Sequence, residues 1–485
     1  MTVPKEIIEI IETLKKADFS AYLVGGCVRD LLMGREPKDW DVATNAKPEQ
    51  IVALFPKTFY ENAFGTVTVV NEEREDNLRH VEITPFREEA KYTDKRHPDK
   101  VTFSTDLKSD LDRRDFTINA IAYDPTTKEL VDPHQGQKDI KDKVIRAVGK
   151  AEERLTEDPL RVMRGVRLNS ELDFVIETET MEAMIKASKL LKFISPERIR
   201  DEFSRILMSK NLMTGIIILH KIEALSHFLP ELEEGLHVKQ NGDHIYDVWE
   251  HTLRVAQHSA DRDWPLHVRL AALFHDIGKP RTRKWGDDKK DWTFYGHDVV
   301  GAKMTRKIME RLRFPGNITD TVEKLVRNHM FFSDIERITL SAVRRIIRNV
   351  GPENVWDLMK VRNCDRIGMG RPKESPYRLR KYESMIEEAL RDPTSVKMLK
   401  IKGEDVLRET GLKPGPNIGY ILHGLLEEVL DNPSLNTEDW LKNRAKELAK
   451  LSDSELRKIG EEGKEKKEGI EQEELSKIRD KYHVK

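Results

Sequence analysis

The sequence predicts an α+β protein: a head of mixed sheet and helices followed by an all-helical remainder. Three observations carry this. The glycine pair Gly25-Gly26 opens a helix-like stretch directly after an apolar, strand-like run. Short runs at 67–70 and 79–84 have strand composition, and in the second Val81 and Ile83 alternate with His80, Glu82 and Thr84. From about residue 150 onward, apolar residues recur at helical spacing.

Taken in order, residues 1–18 read as an amphipathic helix that carries acids, not as a signal peptide. Asp39 and Asp41 follow the glycine pair on an expected strand. Residues two apart on a strand share a face, so both carboxylates can meet one cation. Gly65 punctuates the strand at 67–70. Residues 87–105 are polar and turn-rich, which predicts a mobile loop. Residues 118–123 fit a strand or a buried helix, and the pattern does not decide. Ser195-Pro196-Glu197 starts a helix, with the serine as cap and the proline in the first turn. Composition shifts near 231–245 and 368–376 mark boundaries. Residues 451–485 are Lys/Glu-rich with few apolar anchors, which predicts a solvated helix or a frayed tail.

At 485 residues the chain has room for about three or four domains. Its formal net charge of −2 means that any nucleic-acid site must be locally, not globally, positive. The basic runs at 279–290, 344–348 and 371–381 are the places for it, and each reads equally well as a solvated face. Cys27 and Cys364 form no CxxC pair, which fits a reducing compartment. No apolar run is long enough to span a membrane, so the cytoplasm is the expected location and no membrane partner is implied. No segment marks an obligate protein partner.

The chemistry begins at Asp39 and Asp41. Two-metal phosphoryl transfer needs carboxylates that hold cations a few ångströms apart. Asp-x-Asp alone is common on surfaces, so its surroundings decide. Gly25 and Gly26 let backbone N–H groups approach a polyphosphate, and the adjacent helix N-terminus favours its charge. Arg29 and Asp30 precede the aspartates, and Arg113-Arg114-Asp115 follows. Glu82 is a candidate third carboxylate or an ordinary exposed strand glutamate.

These motifs resemble the class II tRNA nucleotidyltransferases, the CCA-adding enzymes and bacterial poly(A) polymerases. Residues 23–30 with Asp39-Trp40-Asp41 look like that family's first motif. Residues 112–120 look like its second, 157–164 like its nucleotide-selecting motif, and 195–202 like its later helical motif. The resemblance covers about residues 20–230 and resumes weakly over 411–433. It implies a polymerase-beta-like nucleotidyltransferase head over 1–150 and a helical neck over 151–240. An HD domain over 241–370, a helical body over 371–450 and a charged tail over 451–485 complete the expected order. It further implies that Gly26 and Arg29 touch the incoming triphosphate, with Gly25 beside them, and that Asp39 and Asp41 bind Mg2+. By the same resemblance Arg114 holds triphosphate or ribose, Asp158 and Arg161 read the base, and Arg164 and Arg167 support both. The expected substrates are CTP, ATP and the tRNA 3′ end and acceptor arm. A flexible element between the first two motifs is needed for the final A, and Tyr92, Asp94, Arg96 and Pro98 suggest that it is present.

Base reading has an independent chemical check. An acceptor-only Asp158 and a donor-only Arg161 match the amino donor and ring-nitrogen acceptor that cytosine and adenine share. Uracil and guanine reverse that pattern. On a continuous helix Asp158, Arg161 and Arg164 would form one stripe, with Arg167 nearly opposite Asp158.

A second constellation lies downstream. His251, His275-Asp276 and Asp365 have the order H…HD…D and resemble the HD phosphohydrolases, with His297 and His329 fitting an extended ligand set. Imidazoles with carboxylates suit a transition metal better than magnesium. Lys279 is placed to meet a substrate phosphate or is a solvated lysine, and His258 reads as structural. The rivals to CCA addition are a poly(A) polymerase of the same superfamily, an HD phosphohydrolase as the main activity, and an RNA-binding protein with dead sites.

Overall fold

The computed structural model describes residues 1–484 except 62–64, 73, 75–76, 90–100, 242–244, 289, 332–337 and 392–395. The chain divides into two compact units. The first contains residues 1–329 and 360–372, the second residues 330–359 and 373–485.

In the first unit the helix Lys5–Lys16 buries Ile7, Ile11 and Leu14 at helical spacing against the head sheet. The strands are β1 (Ala21–Val24), β2 (Trp40–Thr44), β3 (Thr58–Glu61), β4 (Thr66–Val70) and β5 (His80–Pro85). Next come β6 (Arg87–Glu89), β7 (Val101–Phe103), β8 (Ala122–Asp124) and β9 (Glu129–Val131). Seven of them form one sheet in the order β3-β4-β5-β2-β1-β8-β9. Only β2 and β5 pair in parallel, and their register sets Asp41 opposite Glu82. Leu23, Val42, Ile83 and Val67 fill the core beneath.

Three expectations change here. The segment at 87–105 is not all loop: β6 and β7 pair antiparallel at its ends, with Arg87 opposite Phe103. Tyr92, Asp94, Arg96 and Pro98 lie outside the described residues. Residues 118–123 divide between a 3-10 turn (Thr117–Asn119) and β8. Ser195 holds the N-cap position of the helix Pro196–Leu207, yet its hydroxyl makes no cap bond, so Pro196 at the first position is the operative start signal.

Short strands β10 (Val144–Ile145) and β11 (Val175–Ile176) pair in parallel, joining the end of residues 1–150 to the otherwise helical segment that follows. An antiparallel ribbon, β12 (Lys284–Gly286) with β13 (Asp291–Thr293), interrupts the later helices. No described helix is long and apolar enough to cross a membrane.

In the second unit Val406, Ile421, Leu425, Leu441, Leu448 and Leu456 form an apolar cluster. The Lys/Glu-rich end is a packed helix, Asp453–Lys481, started by a reciprocal cap between Ser452 and Glu455. Glycines seat it together with Leu456. A Cβ on Gly460 would lie 2.5 Å from the Tyr420 ring, and one on Gly463 would lie 2.5 Å from the His423 carbonyl. The helix therefore packs against Pro416–Asp431 at backbone distance, which a count of apolar anchors misses.

Candidate functional site

The head pocket forms where β1 ends. Gly25 has φ 77°, a left-handed conformation that glycine adopts without strain, and it caps the helix Gly26–Leu32. A Cβ there would sit 3.2 Å from Arg114 Nη1 and 3.4 Å from Asp41 Oδ2. Backbone, guanidinium and carboxylate thus converge around a space that any side chain would fill. Asp41 lies in β2, whereas Asp39 stands just before the strand and is exposed. Burial first, and then the charges of Asp39 and Glu82, push the Asp41 carboxyl up to about 7 against the pull of Arg114 and Arg164. Three carboxylates therefore hold more negative charge than the nearby guanidiniums balance. An oxygen-only set of this kind fits a hard divalent cation such as Mg2+.

Arg114 is aimed from beneath. The fully buried Asp110 accepts from its Nη2 at 3.0 Å and from Arg113 Nη2 at 2.7 Å. Arg29 donates through Nη1 to Asn119 Oδ1 at 2.8 Å and through Nε to Asp30 at 2.9 Å. The first and second motifs are thereby joined side chain to side chain. Arg164 Nε lies 2.7 Å from Asp115 Oδ2. Burial would raise the Asp115 carboxyl, but Arg164 and then Arg161 hold it down, at about 2.

The selecting segment departs from the helical stripe. The helix Ala151–Glu157 stops at Asp158, and a new helix, Leu160–Leu172, starts after Pro159. Proline forces its predecessor out of helical geometry, and Asp158 has φ −129° and ψ 96°. Asp158 therefore sits at a corner. Its Oδ1 accepts from the Leu160 N–H at 3.1 Å, and its Oδ2 accepts from Arg198 Nη2 at 3.2 Å. Arg161 is buried and donates to the carbonyls of Arg154 at 2.8 Å and Arg113 at 3.2 Å. Arg154 donates in the same way to the Asp112 carbonyl at 2.6 Å. Arg167 is buried on Glu202, with contacts of 3.0 and 2.9 Å that hold its guanidinium in place.

The second cluster is deeply buried. His251 lies in the helix Val248–Asp261, His275-Asp276 ends Leu266–Phe274, and His297 starts His297–Arg311. His329 ends Gly316–Asn328, and Asp365 lies in Val355–Gly368. His251, His275 and Asp365 form one compact triad, and Asp276, His297 and His329 form another. Asp276 reaches both. Its Oδ2 is 3.2 Å from His251 Nε2 and 3.0 Å from His275 Nε2, and its Oδ1 is 3.3 Å from His297 Nε2 and 3.7 Å from His329 Nε2. The Nδ1 atoms of His275, His297 and His329 each meet a carbonyl, of Ala272, Phe294 and Val326, at 2.7–2.8 Å. Donation there leaves each Nε2 as a lone pair facing inward, as a metal ligand requires.

Electrostatics supports the same reading. Burial would lower His251, but Asp276 and Asp365 raise it to about 9. Asp276 and Asp365 are held far below the carboxylate range by the surrounding imidazoles, Lys279 and Arg362. Lys279 is buried, with Nζ 2.6 Å from Asp276 Oδ2 and 2.6 Å from Gln240 Oε1, so the solvated reading of it fails. His258 packs edge-on to Trp264, as its structural reading expects.

Comparison with known proteins agrees with this geometry. Residues 21–146 match the Poly A polymerase head domain family and 248–377 the HD domain family. Residues 173–236 match the family described as the probable RNA and SrmB-binding site of polymerase A. A CCA-adding enzyme of Lactococcus lactis subsp. cremoris (strain MG1363) is 32% identical over 93% of this chain and 98% of its own length. This chain belongs to the CCA-adding enzyme family. Within that family, an A-adding tRNA nucleotidyltransferase of Deinococcus radiodurans is 34% identical over 84% of this chain and 91% of its own. The crystal structure of the Bacillus stearothermophilus CCA-adding enzyme with CTP superposes with a TM-score of 0.61 at 27% identity, covering 92% of this chain and 98% of that one.

Family membership does not by itself expose every working residue. Arg198, Arg154 and Asp110 were not singled out in the sequence. Arg198 and Asp158 are forty residues apart, so only the fold pairs them. The nearest sequence signal was that 195–202 and 157–164 both matched family motifs.

Proposed function

We propose that the head adds C, C and A to the tRNA 3′ end from CTP and ATP, and that the HD cluster cleaves phosphate esters. The convergence of Gly25, Asp41 and Arg114 on one space, with Asp39 and Glu82 beside it, carries the first part. The tRNA 3′-oxygen attacks the α-phosphorus in line, the O–P bond to it forms, and pyrophosphate leaves. Asp39 and Asp41, with Glu82 in register, would hold Mg2+, which neutralises phosphate charge and orients the reacting oxygens. Gly25 and Gly26 give the triphosphate room beside the helix N-terminus, and Arg114, braced by Asp110, meets its charge. Arg29 fixes the floor through Asn119.

For base selection, Asp158 supplies the acceptor and Arg198 keeps it aimed. Arg161 supplies the donor. Its guanidinium also holds the Arg113 and Arg154 carbonyls and the Glu157 carboxylate, which fix its position. The A-adding relative makes product length the deciding measurement. Incubation with tRNA lacking its 3′ end, with CTP and ATP singly and together, should give three added residues only with both nucleotides. A single added A on tRNA already ending in CC, with CTP unused, would assign the A-adding role. Long A tails from ATP alone would assign the poly(A) polymerase reading.

For the HD cluster, six nitrogen and oxygen ligands in two triads fit first-row transition metals. His251, His275 and Asp365 would hold one ion, His297 and His329 another, with Asp276 shared. Metal there supplies Lewis-acid activation of water and phosphate. Lys279 stands against the shared carboxylate, where it can move onto a substrate phosphate.

A further inference from the structure

We infer that Phe59, on the edge strand β3, is a stacking platform for an unpaired base of the tRNA 3′ end, a few nucleotides behind the reacting oxygen. This rests on the nucleotidyl-transfer reading of the head. The sheet register carries it. Asp41 stands opposite Glu82, Glu82 opposite Thr68, and Thr68 opposite Phe59, across β2, β5, β4 and β3. Directly paired residues share a face of the sheet, so the Asp41 carboxylate and the Phe59 ring lie on one side, in one row. One row along, the hydroxyls of Thr66 and Thr84 meet at 3.3 Å, and Thr84 is two residues from Glu82 on the same face. Three strand spacings of about 4.8 Å set the Phe59 backbone about 14 Å from that of Asp41.

The direction of attack selects this side of the sheet. In the reading above, Gly25, Gly26 and Arg114 receive the triphosphate where β1 ends, so pyrophosphate departs toward β1. In-line displacement brings the entering oxygen from the opposite side. In the strand order β3-β4-β5-β2-β1, that side lies over β5, β4 and β3. The two halves of the face differ accordingly. Toward β1 and β8 it is covered by an apolar cluster that includes Val24, Ala43, Phe86, Leu111 and Ala122. Toward β3 it is open: Glu82 is exposed, Thr68 half-buried and Phe59 66% exposed. Phe59 belongs to neither apolar cluster of the head. A bare phenyl ring on an edge strand invites unwanted pairing, and a stacked base covers it. Every base has a π face, so one ring serves an end whose sequence changes as it grows. Lys57, two residues earlier on the same face, is exposed and ion-paired with Glu72, from which a passing phosphate can draw it.

The test uses the full chain and tRNA carrying a 5-iodopyrimidine at each unpaired 3′ position in turn. Near-ultraviolet light joins such a base to the aromatic ring stacked on it. Peptide mapping should find the join at Phe59 for one position, and Phe59→Leu, which keeps the apolar bulk without the π face, should abolish it. Phe59→Ala and Phe59→Leu should each raise the dissociation constant for tRNA ending in CC about tenfold, and Phe59→Trp should retain binding. Transfer RNA trimmed flush with its acceptor stem should bind all variants alike, and the KM for CTP and ATP should not move. No join at Phe59 from any position, equal losses on the flush tRNA, or a raised KM for the nucleotides with tRNA binding unaltered would each overturn the platform. Absence of nucleotide incorporation by the unmodified chain, with the Phe59 join intact, would sink the nucleotidyl-transfer reading and leave the platform standing.

Discussion

The two acidic centres of this chain treat their charge in opposite ways. In the head, Asp39, Asp41 and Glu82 crowd together with no imidazole among them, and the buried Asp41 carboxyl is driven up to about 7. In the HD cluster, Asp276 and Asp365 sit among four histidines and are held far down, while His251 rises to about 9. The head is thus a centre short of positive charge that only an incoming cation completes. In the HD cluster the carboxylates face imidazoles and Lys279, and His251 holds a proton that a metal must displace. A site open to cations suits magnesium that arrives with each triphosphate.

The sharpest way to break this contrast is to disable one centre and read both. Asp39→Ala with Asp41→Ala should reduce nucleotide incorporation to background while tRNA binding and metal-dependent phosphate release persist. Retained incorporation would refute the head assignment. Conversely, Asp276→Ala removes the one carboxylate that faces both HD triads. Metal analysis of the purified variant should show loss of bound transition metal and of phosphate release, with CCA addition intact.

A smaller effect is expected at the selecting corner. Arg198→Met frees the Asp158 carboxylate from its guanidinium. The ratio of kcat/KM for UTP over CTP should rise about tenfold, a loss of roughly 1.4 kcal/mol of discrimination. A variant that is merely destabilised would lower both values together and leave the ratio alone.

The smallest effect tests the charge excess directly. Asp41 binds its proton more tightly in the folded chain, at about 7, than at its ordinary value of 3.8. Its contribution to stability is complete below the unfolded value and is lost as pH rises toward 7. Metal relieves that loss, so Mg2+ should raise the melting temperature by a few degrees at about pH 8 and by less at about pH 5.5. Equal shifts at both would remove the argument from charge.

Much of the head was legible because its chemistry is local. Gly25-Gly26, Asp39 and Asp41 lie within one strand–helix–strand passage, and strand alternation alone placed Glu82 opposite the core. The register that sets Glu82 beside Asp41 was not legible, because strand pairing is a property of the sheet. The HD ligands were legible as an ordered set, but the shared role of Asp276 depends on which way each carboxylate oxygen faces. Treating residues 158–164 as one helix failed at Pro159, a breaker visible in the sequence and outweighed by the spacing of the charges. The tail is the solvated helix that its composition suggested, but its seat on Pro416–Asp431 was not legible, because glycine contacts bury backbone, which hydropathy does not register.

Arg154 and Arg161 reach back to the main-chain oxygens of Asp112 and Arg113, not to their side chains. Every amino acid brings such an oxygen. Substitution at 112 or 113 therefore leaves this latch engaged, whereas the latch depends on the guanidiniums of Arg154 and Arg161, which share the Arg113 carbonyl. These main-chain contacts are thus indifferent to which side chains stand at 112 and 113, and depend on those at 154 and 161.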